Sequence, residues 1–218
     1  MCGRYASSRS AMDLAHFEVD DPPETVLPPS YNIAPTTPVY GVLERDGRRR
    51  MAVLRWGLVP SWAKDAKGAA RLINARQETV AEKPAFRSAY RRRRCLLPAD
   101  GYYEWKTEGA RKQPYYFTDP SGPLAMAGLY EVWRPAEGEP LWTCTVITTQ
   151  AADEHGEIHD RTPLLVPRPH WSRWLDAGTA EPGDLLAPAT SGVLEAWPVS
   201  TAVGNVRNNG PELVEPVG

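Results

Sequence analysis

The sequence has little cysteine and no long apolar segment. Its three cysteines, Cys2, Cys95 and Cys144, are odd in number and widely separated in a chain of 218 residues, which argues against a disulfide framework or a zinc ribbon. No apolar run approaches the roughly 20 residues that a membrane-spanning helix needs. The residues after Met1 also lack the apolar stretch of a secretion signal. We therefore expect a cytoplasmic protein without a membrane segment.

The chain also lacks an excess of positive charge. Its 25 lysines and arginines stand against 27 acidic residues, so the net charge is −2 and the pI is near 6.1. A protein that coats nucleic acid without specificity is normally basic. Any nucleic-acid contact therefore requires a local groove with its own arginines. No phosphate-cradling glycine loop or dinucleotide fingerprint is present, so we expect no nucleotide cofactor.

Strand signals outnumber helix signals and follow one another along the chain. Two apolar runs flank Asp46-Gly47, a strong hairpin signal. The predicted strands are Thr37–Glu44, Arg49–Trp56, Cys95–Leu97, Tyr102–Lys106, Pro114–Thr118, Leu124–Val132, Leu141–Thr149, Leu164–Val166 and Leu194–Val199. The predicted helices are Ser10–Phe17, Ala75–Glu82, Pro169–Asp176 and Pro182–Leu186. This order predicts one α+β domain over residues 1–218, with an antiparallel, barrel-like β core and flanking short helices.

Cys2 differs from the other cysteines by its position. Initiator methionine is normally removed before a small second residue, which leaves an α-amine and a thiol on adjacent carbons. Their ordinary pKa values, roughly 7.7–8.0 and about 8.5, make both partly nucleophilic near neutral pH. Such an aminothiol forms an imine with an aldehyde, and its sulfur then closes a thiazolidine ring on the same carbon. Alternatively, Cys2 is an ordinary buried or oxidised residue. Cys95 and Cys144 are expected in buried strands.

Five separated motifs follow this terminus in a particular order. They are Met1-Cys2-Gly3-Arg4-Tyr5, Arg55-Trp56-Gly57-Leu58-Val59-Pro60-Ser61-Trp62, Ile73-Asn74-Ala75-Arg76-Gln77-Glu78-Thr79, Arg94-Cys95-Leu96-Leu97-Pro98-Ala99-Asp100-Gly101-Tyr102-Tyr103-Glu104-Trp105 and Ile158-His159-Asp160-Arg161-Thr162-Pro163. Together they closely resemble the SRAP family (SOS response-associated peptidase, abasic-site processing proteins), from residue 1 to about Pro216. One departure is Thr162, where family members usually carry methionine.

The resemblance implies a covalent bond between the N-terminal cysteine and abasic sites in single-stranded DNA, which protects the damaged strand. It places the family's four active-site positions on Cys2, Asn74, Glu104 and His159. It implies that single-stranded DNA is the partner, and we expect a monomer that associates with the nucleoid when bound to DNA. It leaves open an abasic-site lyase activity and autocatalytic removal of Met1.

The residue types suit this chemistry. An abasic deoxyribose is mostly a closed ring, and a neutral-to-cationic His159 is a candidate acid for opening it near pH 7. Glu104, set between Tyr103 and Trp105, is expected to have a raised pKa and to shuttle protons. The Asn74 amide can orient the sugar or the amine. Taken alone, these three residues also fit a strand-edge carboxylate, a helix N-cap and a structural histidine.

Arginines next to these positions predict a phosphate-binding groove. Arg4, Arg76 and Arg161 each lie within two residues of a proposed site residue, and guanidinium groups bind phosphates in a fork. Trp62 and Trp105 are candidates for stacking on bases. By contrast, the runs Arg48–Arg50 and Arg91–Arg94 are interpreted as solvated faces and strand edges.

Two other functions would also use Cys2 or the arginines. An N-terminal-nucleophile cysteine hydrolase or peptidase would use the α-amine of Cys2 as the base for its own thiol. A DNA reader that forms no covalent bond would use the arginine groove but leaves the reactive terminus without a role.

A metal site is a third alternative. His155 and His159 are four residues apart, with Glu157 and Asp160 nearby. A glycine and a proline oppose a long helix there, and the HExxH arrangement is absent. We therefore expect no metal and no other cofactor.

Overall fold

Twelve β-strands in the described residues form the body of the protein. The computed structural model describes residues 2–9, 16–151, 156–179, 182–186 and 194–217. The strands are β1 (Tyr5–Ser7), β2 (Ser30–Ile33), β3 (Pro38–Arg45), β4 (Arg48–Trp56), β5 (Asn74–Arg76), β6 (Arg94–Ala99), β7 (Gly101–Glu108), β8 (Arg111–Thr118), β9 (Leu124–Trp133), β10 (Leu141–Gln150), β11 (Arg161–Pro163) and β12 (Glu195–Pro198). The α-helices α1 (Arg87–Arg92) and α2 (Trp171–Leu175) pack against β6.

The larger sheet curls into a barrel-like ring. Its pairings run from β10 through β4, β3, β6 and β9, and β9 pairs again with β10. Strands β3 and β6 meet at the single pair Val42 and Leu96, so no continuous ladder closes the ring. Among the paired strands described, β10 is parallel to β4 and to β5, and the other pairs are antiparallel. The predicted α+β class, with an antiparallel, barrel-like core, is confirmed.

The smaller sheet holds the start of the chain in its interior. Its strand order is β12-β8-β7-β1-β2, so β1 is flanked by β7 and β2. Both pairings are antiparallel. The N-terminal residues therefore contribute to the sheet instead of hanging free, and the residues before β1 run along β7.

The predicted hairpin is confirmed at Asp46-Gly47. Strands β3 and β4 pair over their full length, and Arg45 lies opposite Arg48. Asp46 and Gly47 have φ values of 55° and 71°. A two-residue turn with positive φ at both positions matches the right-handed twist of the strands, and Asp-Gly adopts it readily.

Two predicted elements are wrong. Residues 75–82 form no helix, because β5 pairs with β10 in parallel and buries Ala75 completely; tertiary pairing here outweighs helix propensity. Leu164–Val166 is not a regular strand, since β11 lies three residues earlier and Leu165 makes only an isolated bridge to Met126. Residues 10–15 of the predicted helix Ser10–Phe17 lie outside the described residues.

The remaining helix predictions and the buried cysteines agree with the structure. Short helical segments occupy Trp171–Leu175 and Gly183–Leu186. Cys95 on β6 and Cys144 on β10 are fully buried and unbonded, as predicted. No helix in the described part of the chain combines the length and the apolar character needed to cross a membrane.

Arg94 is buried and joins α2 to β6 through hydrogen bonds. Its interpretation as a solvated residue is therefore wrong. Arg94 is 2% exposed. Its guanidinium donates to the carbonyl oxygens of Trp174 (2.6 Å), Tyr90 (2.7 Å), Arg91 (3.1 Å) and Thr179 (2.9 Å), and also to that of Asp176. Because five carbonyls face one cation, the planar fork of arginine satisfies an arrangement that an ammonium group cannot match.

Arg49 is a second exception among the arginine runs. It is 9% exposed, and its guanidinium lies 2.5 Å from the Glu18 carboxylate and 2.7 Å from the Ser172 hydroxyl. The interpretation of solvated faces is therefore wrong for one arginine in each run.

We predict that Arg94→Lys lowers the free energy of unfolding by about 2–4 kcal/mol, because buried carbonyls lose charged donors. Urea unfolding measures the change. Arg91→Lys, at an exposed position of the same run, is the matched control and should leave the midpoint nearly unchanged. Equal midpoints for the two variants would contradict the role assigned to Arg94.

Candidate functional site

Antiparallel pairing of β1 with β7 brings the start of the chain to Glu104. Tyr5 lies opposite Tyr102, and the Tyr103 N–H donates to the Arg4 carbonyl at 3.0 Å. Extending this register by two residues places Gly3 opposite Glu104. Cys2 therefore lies beside the carboxyl group, and the Glu104 charge contributes to the raised pKa of the Cys2 thiol.

Cys2 is fully buried and is tied down through its backbone. Its carbonyl oxygen accepts a hydrogen bond of 2.7 Å from the Asn74 side-chain amide. Its Sγ donates a weak bond, 3.9 Å long, to the Arg4 carbonyl. Burial raises the pKa of the thiol far above its ordinary value. In the chain that carries Met1, burial therefore favours the neutral thiol over the thiolate.

Asn74 begins β5, where Val146 of β10 pairs with it. It is therefore not the N-cap of a following helix. Its amide nitrogen holds Cys2, while its Oδ1 is buried and has no hydrogen-bond partner within the described residues. A buried acceptor left over in this way can receive a hydrogen bond from a bound group.

Glu104 is 3% exposed, and burial raises its pKa to about 7. The direction matches the prediction, but the flanking aromatic residues are not the cause. Side chains alternate along a strand. Tyr103 and Trp105 consequently pack with the C-terminal segment on the opposite face, while Tyr102 faces the same core as Cys2.

His159 faces the same carboxyl group. Its Nε2 lies 3.8 Å from Glu104 Oε2. Its Nδ1 lies 3.0 Å from the Arg161 backbone nitrogen and 3.2 Å from both the Arg161 carbonyl oxygen and Asp160 Oδ1. Burial lowers the pKa of His159 below its ordinary 6.5. Of the predicted neutral-to-cationic states, the lowered pKa of His159 favours the neutral ring near pH 7, and Glu104 is the group whose pKa lies there.

Thr162 forms a hydroxyl–hydroxyl hydrogen bond, which the weakly accepting thioether of methionine would not match. Its Oγ1 lies 2.8 Å from the Tyr102 hydroxyl, which joins β11 to β7 directly behind the site. The sequence analysis missed Tyr102. The available signal was its position two residues before Glu104, which puts both side chains on one face of a strand.

The predicted phosphate-binding arginines differ in their availability. Arg4 is half-buried and donates to Asn32 Oδ1 (2.7 Å) and to the Val203 carbonyl (2.8 Å). Arg76 is exposed at the end of β5. Arg161 is paired with Glu78, which was not a predicted site residue although it lies in the motif Ile73–Thr79.

The two predicted stacking residues lie in different environments. Trp62 is 68% exposed, so its ring is available for contact. Trp105 packs against the C-terminal cluster on the face of β7 that points away from Glu104. The structure therefore does not bring Trp105 together with Cys2, Asn74, Glu104 and His159. His155 of the alternative metal site lies outside the described residues.

The match to a known family covers most of the chain. A model of the SOS response associated peptidase (SRAP) family matches residues 1–206. The chain belongs to the SRAP family. All four predicted site residues lie within the matched range.

Relatives within the SRAP family extend over the full chain. Abasic site processing protein YoqW of Bacillus subtilis is 40% identical over 222 residues, which cover 99% of each chain. Abasic site processing protein YedK of Escherichia coli is 35% identical over 237 residues, which cover 100% of each. Abasic site processing protein HMCES of Xenopus tropicalis is 35% identical over 221 residues, covering 85% of this chain and 65% of that protein.

A solved structure shows the same architecture. A crystal structure of a protein from Bacteroides thetaiotaomicron has a TM-score of 0.89 to this chain at 25% identity, covering 99% of this chain and 100% of that one. The arrangement of strands that positions the SRAP site is therefore shared beyond close relatives.

We predict that the buried Glu104 carboxyl destabilises the protein as pH rises. Its pKa rises from 4.5 to about 7 on folding, so the stability that it contributes is fully present below pH 4.5 and is lost as pH passes 7. Between about pH 4.5 and pH 8, the wild type should lose up to about 3 kcal/mol of unfolding free energy relative to Glu104→Gln.

Urea unfolding of both proteins across this pH range measures the difference. Glu108→Gln, at the exposed end of the same strand, is the matched control and should follow the wild type at every pH. A pH-independent difference between wild type and Glu104→Gln would contradict the raised pKa.

Proposed function

We propose that this SRAP protein processes abasic sites in single-stranded DNA by forming a covalent bond through Cys2. One observation carries the proposal: the second residue of the chain is buried between an amide that holds its carbonyl and a carboxyl group with a pKa of about 7. The names of YoqW, YedK and HMCES as abasic site processing proteins support the substrate. Removal of Met1 supplies the free amine.

The first step opens the sugar ring. A hemiacetal opens when its ring oxygen gains a proton and its hydroxyl group loses one. The two oxygens of a carboxyl group can perform both transfers, and near pH 7 about half of the Glu104 carboxyls carry the required proton. His159, whose Nε2 lies 3.8 Å from Glu104 Oε2, is assigned the role of positioning the carboxyl.

The amine of Cys2 then attacks the aldehyde carbon. A proton moves from the amine nitrogen to the new hydroxyl group, and Glu104 donates its own proton as that hydroxyl leaves as water. An iminium ion and a Glu104 carboxylate remain. The Asn74 bond to the Cys2 carbonyl orients the attacking residue, so the amine is presented at the same place in each encounter.

Sulfur closes the adduct. The carboxylate produced by dehydration takes the thiol proton, sulfur bonds to the iminium carbon, and the nitrogen becomes a secondary amine in a thiazolidine ring. Glu104 regains its proton and one water has been released, so the step needs no cofactor. Because burial keeps the thiol neutral until then, the amine reacts first.

The same features weigh against the hydrolase alternative. A cysteine hydrolase requires a thiolate or an activated thiol, whereas burial raises the pKa of this one. We further propose that the protein acts as a monomer in the cytoplasm, associated with the nucleoid when bound to DNA, since one chain supplies Cys2, Asn74, Glu104 and His159.

We predict that the wild type forms a heat-stable adduct with a single-stranded oligonucleotide that carries one abasic site. A denaturing gel detects it. Cys2→Ala retains the amine but cannot trap the imine, which promotes β-elimination of the 3′ phosphate. It should therefore cleave the strand and leave no stable adduct.

Cys144→Ala is the matched control, because it removes another buried thiol and should leave the adduct intact. The thiazolidine assignment fails if Cys2→Ala gives as much heat-stable adduct as the wild type. Intact mass before and after DNA tests the terminus, and retention of Met1 in the crosslinking species would exclude the mechanism.

The proton transfers predict a bell-shaped dependence of the single-turnover crosslinking rate on pH. The reaction needs a protonated Glu104, with a pKa of about 7, and a neutral amine, whose ordinary pKa is roughly 7.7–8.0. The rate should therefore be highest near neutral pH.

In Glu104→Gln the rate should fall by about 10²- to 10⁴-fold. It should then rise with pH to a plateau, because only the amine still titrates. Glu108→Gln should retain the bell-shaped dependence of the crosslinking rate on pH. An unchanged profile for Glu104→Gln would exclude Glu104 as the proton carrier.

A further inference from the structure

Arg161 is bound by a carboxylate in the geometry that it would use for a phosphate. Its Nη1 lies 2.5 Å from Glu78 Oε1, and its Nη2 lies 3.0 Å from Glu78 Oε2. Two parallel N–H···O bonds to two oxygens of one anion are also the arrangement in which a guanidinium recognises a phosphate. A DNA phosphate and Glu78 therefore compete for the same donors.

Glu78 lies on the solvent side of this pair. The Arg161 side chain is 11% exposed and the Glu78 side chain is 51% exposed. Arg161 Nη2 also donates to the Thr148 carbonyl at 2.6 Å, which anchors the guanidinium from the protein side. An anion that arrives from solvent therefore meets Glu78 before it meets Arg161.

The pair adjoins the reaction centre. The backbone N–H of Arg161 donates to His159 Nδ1 at 3.0 Å. The Arg161 hydrogen bond is the largest cause of the lowered pKa of Glu78, and the charge of exposed Arg76 lowers it further. Two arginines that the sequence predicts as phosphate ligands thus act on one ionised carboxylate.

We propose that Glu78 is a specificity-determining residue that occupies the phosphate position on Arg161 in the free protein. This inference rests on the proposed function. Each phosphate that a protein binds adds affinity for DNA of any sequence, damaged or not. By occupying Arg161, Glu78 weakens binding to intact single strands. Lasting retention then depends on the covalent bond, which only an aldehyde can form.

Exchange of the two anions leaves the fold intact. Because the Glu78 side chain is half exposed, its ion pair with Arg161 contributes little to stability. The Thr148 carbonyl still holds Arg161 after Glu78 leaves. A backbone phosphate beside an abasic sugar in the site can therefore take the place of Glu78.

The test compares Glu78→Gln with Glu82→Gln. Both variants remove one negative charge from the same segment, and Glu82 is exposed. Fluorescence anisotropy measures binding of an intact single-stranded oligonucleotide at several salt concentrations. Glu78→Gln should bind about 3- to 10-fold more tightly than Glu82→Gln at low salt. Its plot of log K against log salt should be steeper by about 0.7, as expected for one additional phosphate contact on a single strand.

A double variant shows whether the effect passes through Arg161. In an Arg161→Ala background, Glu78→Gln should bind no more tightly than Glu82→Gln does. Equal affinities and slopes for the two single variants, or weaker binding by Glu78→Gln than by the wild type, would overturn the proposal.

Adduct formation by the wild type on an abasic oligonucleotide is measured separately. Absence of an adduct is a failure of the proposed function. An adduct together with equal binding by the two single variants is a failure of the Glu78 assignment alone.

Discussion

The pairing of β1 with β7 is the constraint on which the site depends. Chain termini usually lie at the surface and are poorly ordered unless a strand or helix ties them down. Here β1 is an interior strand between β7 and β2. The residues that precede it, including Cys2, therefore lie inside the protein. The antiparallel register then sets Cys2 beside Glu104, and Asn74 holds its carbonyl from the larger sheet. The start of the chain thereby obtains the fixed geometry of a core residue, which the proposed covalent chemistry requires.

Burial disfavours the charged form of all three titratable groups of the site. It therefore raises the pKa of the Cys2 thiol and of Glu104 and lowers that of His159. The thiol and the imidazole are therefore mostly neutral at pH 7, and Glu104 is the group that exchanges its proton most readily there. The same burial costs stability when Glu104 ionises, which is a common trade between function and stability.

The arginines show why a net charge of −2 is compatible with a DNA partner. Arg94 and Arg49 serve the fold, Arg4 bonds to Asn32 and the Val203 carbonyl, and Arg161 is matched by Glu78. These four guanidinium groups are therefore engaged within the protein and are not free to attract phosphates at long range. Such a surface suits a protein that recognises a chemical lesion more than one that coats a strand.

The sequence by itself determined features that rest on local chemistry. Asp46-Gly47 specified its hairpin because positive φ values are required at those two positions, and the apolar runs specified most strands. The motifs were enough to select Cys2, Glu104 and their partners as candidates.

Only the tertiary structure decided that Asn74 lies in a strand, that Trp105 faces away from Glu104 and that Arg161 binds Glu78. The physical reason is that these outcomes depend on residues distant in sequence. Strand β10 pairs with β5, the C-terminal segment covers one face of β7, and the turn after β5 brings Glu78 to Arg161 at the start of β11.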